Sequence, residues 1–116
     1  MVDHKSDIII AGGSYTGLTL ALALAKALGP DISITVIDRQ GKVSDNPDLR
    51  ASAISAASRH LLEALGIWPM VKDEAQDVLE IQLTDSPLEA GVRPVLLTYD
   101  NRLENGEPAS SIVPNE

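Results

Sequence analysis

The sequence predicts an α/β fold built on parallel strands, and three observations carry that prediction. A short β-branched run, Asp7-Ile8-Ile9-Ile10-Ala11, passes directly into glycines. An Ala- and Leu-rich segment follows, long enough to return the chain to a parallel position. A second β-branched run, Ile32 to Ile37, comes next and ends at Asp38.

The first run is continuously apolar, as expected of a strand covered on both faces. Thr16 through Leu28 predicts a helix, with Gly29 placed to cap it and Pro30 barring its continuation. Gln40 through Leu49 is polar and holds Gly41, Asn46 and Pro47, so a loop is expected there. A second helix is predicted over Ser52 to Leu65, because Ile54, Ala57, Leu61, Ala64 and Leu65 recur at helical spacing. Ser52 or Ser55 would cap its start, Gly66 would stop it, and Trp68 and Met70 are expected to pack beneath its end.

Beyond this point the pattern changes. Leu79, Ile81 and Leu83 alternate with polar residues, as do Val95, Leu97 and Tyr99, the mark of strands with one wet face. Asp85–Pro94 forms the connection, Asn105-Gly106 marks a turn, and Ser110–Val113 predicts one more short strand. The switch to antiparallel alternation near Gln76 gives an expected division into residues 1–75 and 76–116. The end at Pro114-Asn115-Glu116, without a following helix, leads to the expectation of a fragment of a larger fold.

Composition narrows the partners. The net charge of −8 argues against nucleic acid, which requires clustered Lys and Arg, and against an anionic membrane surface. An anionic small ligand stays compatible, because backbone N–H groups can hold it without net positive charge. The absence of cysteine excludes disulfides and thiolate chemistry and fits a cytoplasmic location. Leu18–Ala25 is too short to span a bilayer. A signal-peptide reading of the first residues is opposed by Asp3, Asp7 and the interrupting Gly12-Gly13-Ser14.

The sharpest local signal is Gly12-Gly13-Ser14-Tyr15-Thr16-Gly17, set between a predicted strand and a predicted helix. In a dinucleotide-binding turn the first glycine makes the bend, the second lets backbone approach a pyrophosphate, and the third lets helix and strand pack closely. Gly12 and Gly17 hold the first and third places, and Ser14 holds the second. Its Cβ narrows the gap, while its hydroxyl can donate to a phosphate oxygen. Asp38 closes the next strand, where a carboxylate can accept hydrogen bonds from ribose hydroxyls. Arg39 beside it would favour a 2′-phosphate. Arg50 precedes a run of small residues, where a cation can reach a phosphate or a ring edge. Bland alternatives stand beside these readings: a βαβ unit without ligand, a strand-end aspartate and a solvated loop arginine. His4 and His60 form no metal or triad arrangement, and no residue is placed to activate a nucleophile, so any chemistry falls to a cofactor.

Taken together, Asp7–Leu24, Val36-Ile-Asp-Arg39, Arg50-Ala-Ser-Ala-Ile-Ser55 and Leu61-Leu-Glu-Ala-Leu-Gly-Ile-Trp68 resemble the start of the ubiquinone-biosynthesis hydroxylases. These are flavin monooxygenases related to p-hydroxybenzoate hydroxylase. Ile81–Asp85 and Leu96–Tyr99 are similar to that family's entry into its substrate-side sheet. The resemblance implies a Rossmann-like FAD-binding unit followed by the start of an antiparallel substrate-side sheet. It implies FAD as cofactor, NAD(P)H as electron donor, and insertion of one oxygen atom from O₂ into a phenolic substrate. It further implies that Gly12, Ser14 and Gly17 line the pyrophosphate, that Asp38 holds the adenosine ribose, and that Arg50 lies near the flavin; Gly13, Tyr15, Thr16 and Arg39, beside them in sequence, complete the expected cofactor-binding set. The 116 residues alone are expected to be inactive. Two alternatives remain: an NAD(P)-binding segment of a dehydrogenase, and a non-catalytic fragment that associates with itself. Peripheral membrane association of the parent enzyme is also left open.

Substituting Ser14→Gly should tighten binding of ADP-containing ligands by opening the phosphate gap. Calorimetric titration with ADP measures this, and unchanged or weaker affinity would show that the diphosphate lies elsewhere.

Overall fold

The computed structural model describes residues 5–39 and 48–115. Most of the loop expected over Gln40–Leu49 lies outside those residues. The chain packs as two compact units, Met1–Pro47 and Asp48–Glu116. The expected division at residue 76 followed the change in strand pattern, whereas the compact units follow Cα packing.

The first unit contains β1 (Ile8–Ala11), α1 (Tyr15–Leu28) and β2 (Ile34–Ile37). β1 and β2 run parallel, with Ile8 opposite Ile34 and Ala11 opposite Ile37. The α/β class and the parallel crossover are therefore as expected. Asp7 fastens the start of the pair: its carboxylate accepts hydrogen bonds from the Ser33 backbone N–H and hydroxyl, both at 2.8 Å. Those bonds, the backbone one foremost, hold the Asp7 carboxyl below its usual range. Gly29 ends α1 at φ 77°, its N–H donating to the Ala25 carbonyl. Coverage of β1 is one-sided. Ile10 is buried toward α1, while Ile9 on the opposite face is 62% exposed. Side chains alternate across a strand, and α1 covers only one face of this pair.

The second unit contains β3 (Ala51–Ser55), α2 (Ala56–Leu65), α3 (Trp68–Val71), β4 (Gln76–Val78), β5 (Glu80–Thr84), β6 (Val95–Asp100) and β7 (Ser110–Pro114). β7 lies between β3 and β4 and is antiparallel to both. β5 and β6 form a separate antiparallel pair. The helix expected from Ser52 therefore starts only at Ala56. Residues 51–55 pair along their whole length with β7, and that tertiary pairing outweighs a weak local helical preference. Ser55 caps α2 by accepting a hydrogen bond from Ser58 N–H, and Gly66 ends the helix in the left-handed conformation.

Of the face expected on α2, Leu65 is buried while Ala57, Leu61 and Ala64 are exposed, and the helix's other buried positions are Ala56 and Arg59. Trp68 is buried as expected, but Met70 is 81% exposed. α3 is a single turn, and residues two apart on a helix point to nearly opposite sides. The β5–β6 pair sets Ile81 against Tyr99 and Leu83 against Leu97. Even this apolar side is 40–50% exposed, so neither face of the pair is dry.

Arg59 is a buried charge, and its partners explain why it is tolerated. Its Nη2 donates to Glu107 Oε2 at 2.6 Å and its Nη1 to the Pro108 carbonyl at 3.4 Å. His60 Nε2 meets the same Glu107 oxygen at 3.0 Å, and Asn105 Nδ2 donates to Oε1 at 3.0 Å. The cluster ties α2 to the turn preceding β7. Hydrogen bonds from Asn105, then His60 and Arg59, push the Glu107 carboxyl down to about 2.

A carboxylate whose pKa is lower folded than unfolded stabilises the fold above its unfolded pKa, roughly 4.3. That contribution is lost as pH falls from there toward about 2. Glu107→Gln should therefore flatten the fall in stability across this window, measured by urea unfolding at a series of pH values. A variant with the same acid dependence as the parent would contradict this account of Glu107.

Candidate cofactor site

The bend after β1 is held by backbone on both sides. Gly12 N–H donates to the Ile37 carbonyl at 2.7 Å, joining the bend to the end of β2. Gly12 itself has φ +114°, a region that L side chains rarely adopt, and a Cβ there would meet nothing within 4 Å. Its requirement for glycine is conformational. Gly17 is required for a different reason: a Cβ on it would lie 1.8 Å from the Gly12 carbonyl oxygen. The first turn of α1 thus presses directly on the bend.

Ser14 is the N-cap of α1, with φ −86° and ψ −173°. This extended conformation suits serine, and the hydroxyl does not cap the helix. The helix begins at Tyr15, one residue before the expected start, and Tyr15 and Thr16 are both exposed. No acidic residue lies in its first turn. The first amides of a helix lack intrahelical partners and carry partial positive charge, so this end attracts an anion.

Asp38, just past β2, reaches back to the bend. Its Oδ2 accepts a hydrogen bond from Gly13 N–H at 2.6 Å, a short charge-assisted contact. Ala11, Gly12, Ile37, Asp38 and Arg39 line an open depression at the ends of the two strands. Structure therefore brings together the bend, Asp38 and Arg39. Backbone amides at a helix start, with a carboxylate beside them, can hold an anion and a hydroxyl-bearing group side by side.

Arg50 belongs to the second unit, immediately before β3. Its Nε and Nη2 donate to the two oxygens of Asp48, each at 2.7 Å. The Asp48 carboxyl is held well below the usual range by Arg50 first and by Asn115 next. Asn115 Nδ2 donates to Asp48 at 3.1 Å, its backbone N–H donates to the Arg50 carbonyl, and its Oδ1 accepts from the Ser52 hydroxyl. Asp48 and Asn115 were not singled out from the sequence. The Asp-Leu-Arg spacing is a local signal for the first, and nothing local marks the second, because β7 carries it in from far along the chain.

Comparison with known proteins gives a consistent picture. The profile described as "FAD binding domain" matches residues 5–105. Among curated proteins, "Ubiquinone hydroxylase UbiL" of Rhodospirillum rubrum is 35% identical over 100 residues, covering 84% of this chain and 21% of that protein. "3-demethoxyubiquinol 3-hydroxylase" of Escherichia coli is 42% identical over 76 residues, covering 62% of this chain and 19% of that protein. An uncharacterised protein of Synechocystis is 33% identical over 86 residues, covering 74% of this chain and 20% of that protein. The chain spans about a fifth of the length of these relatives.

Gly17→Ala should destabilise the first unit by on the order of 3 kcal/mol, because the helix start or the bend must move to admit the methyl group. Denaturant unfolding monitored by residue-resolved amide signals of β1 and α1 reads this loss. Parent-like stability would mean that the bend does not press on α1.

Proposed function

The chain belongs to the FAD-binding domain family, and from that premise we propose that it forms the ADP-binding part of an FAD-dependent hydroxylase. The enzyme would hydroxylate a phenolic ring of the ubiquinone-biosynthesis type, using NAD(P)H and O₂. Relatives named for ubiquinone and demethoxyubiquinol hydroxylation support the substrate class. One observation carries the reading: a glycine bend joined to a helix start, met at 2.6 Å by the carboxylate that ends the neighbouring strand.

FAD is the cofactor of this family, and when bound it supplies the redox and oxygen chemistry. The chain's own residues bind and orient it. Gly12, Gly13, Ser14, Tyr15, Thr16 and Gly17 are assigned to the lining of the pyrophosphate, with the helix-start amides from Ser14 onward as donors, since the Gly12 and Gly13 N–H groups are held by Ile37 and Asp38. Ser14 adds a hydroxyl that is not committed to the helix cap. Asp38 is assigned to the adenosine ribose, with Arg39 at the rim of the same depression. Arg50 is assigned to the flavin side. It can serve there only by sharing or exchanging its ion pair with Asp48. In this reading residues 1–75 serve the cofactor, 76–116 begin the substrate side, and the enzyme works in the cytoplasm. Among the described residues no helix is long and apolar enough to cross a membrane.

Self-association is a second reading, favoured by the exposed Ile81, Leu83, Leu97 and Tyr99 of the β5–β6 pair. Calorimetry with FAD, ADP and NADH, combined with sedimentation, separates the readings. The proposal expects FAD and ADP to bind in preference to NADH. Preference for NADH would favour a dehydrogenase segment instead. Concentration-dependent association with no response to FAD or ADP would favour self-association alone.

A further inference from the structure

Gly13 is the one glycine of the bend that the usual glycine pattern leaves unexplained, since that pattern assigns roles to the first, third and sixth positions. Its backbone does not require glycine, because its φ lies outside the positive region. What distinguishes it is its neighbour. A Cβ on Gly13 would lie 3.1 Å from Asp38 Cβ, 3.2 Å from Oδ2 and 3.4 Å from Cγ. The Asp38 carboxylate occupies the space that a side chain at position 13 would claim.

We propose that Gly13 and Asp38 act as a matched pair in which the missing side chain at 13 sets the position of the ribose-binding carboxylate. Asp38 is then a positioning residue for the bend as well as a ligand. By holding Gly13 N–H it fixes the orientation of the peptide at the mouth of the site before any ligand arrives. Gly13 in turn acts as a specificity determinant without contacting the sugar. An ionised carboxylate offers about four acceptor sites, so the bond to Gly13 does not exhaust its capacity. A larger residue at 13 would displace the carboxylate by a few tenths of an ångström and break this geometry, although the backbone itself would accept it.

The inference rests on the reading that the bend holds the ADP half of the cofactor, and two measurements on the whole chain keep the two claims apart. The first needs no ligand: amide hydrogen exchange of Gly13, compared between the parent and Asp38→Ala. Faster exchange at Gly13 in the variant, with β1 and α1 amides unchanged, is expected. Equal exchange at Gly13 overturns the pair. The second is calorimetric titration with ADP of the parent, Gly13→Ala, Asp38→Ala and the double variant. Gly13→Ala should weaken ADP binding about tenfold in the parent background. In the Asp38→Ala background the same change should have a much smaller effect. Equal losses in both backgrounds overturn the proposal. If the parent itself binds no ADP, the cofactor assignment fails, and the exchange comparison alone decides whether the pair exists.

Discussion

The contact between the Gly12 carbonyl and the start of α1 is the constraint on which the first unit depends. With only 1.8 Å between that oxygen and the place a Gly17 Cβ would take, helix and bend are closer than any other residue would allow. That proximity fixes where α1 begins, and so where its first backbone amides point. It also sets the bend beside the end of β2, where Gly12 N–H finds the Ile37 carbonyl and Gly13 N–H finds Asp38. Three consecutive features of the site, the anion-attracting helix start, the turned backbone and the carboxylate, follow from one close approach. None of them requires a lysine or arginine, which reconciles an anionic ligand with an acidic chain.

The second unit is held differently. Its buried side chains are few, and a cation is among them: Arg59 takes the place an aliphatic residue would fill on α2 and is satisfied by Glu107 and the Pro108 carbonyl. Glu107 is oriented by Asn105 from within its own turn, so the acceptor is in place without help from α2. Removing one member of such a group leaves a buried charge without its partner, which costs more than the pair contributes over an apolar replacement. At the other end of β3, Asp48, Arg50, Ser52 and Asn115 form a second polar group that joins the first residues of the unit to the last.

Much of the first unit was legible in the sequence, because its determinants are local. Glycines where the backbone bends, β-branched runs, an Ala- and Leu-rich helix and Gly29 at its end each act within a few residues. The place of Asp38 at a strand end was legible, and its hydrogen bond to Gly13 was not, since that depends on how two strand ends meet. In the second unit the determinants are distant. Ala51–Ser55 reads as a helix start until β7 supplies a partner from residues 110–114. Nothing local to Arg59 marks it as buried, because its partner Glu107 lies far along the chain. Met70 and Trp68 read alike by composition, and only the single turn of α3 separates them.

The central claim is that the bend and Asp38 together receive a diphosphate and its sugar. Titrating ADP into isotopically labelled chain and following every backbone amide by NMR tests it most directly. The account predicts saturable shifts that are largest at residues 13–17 and at Asp38, with the β5–β6 pair unmoved. Shifts centred on the second unit, or no saturable shift at residues 13–17, would contradict it.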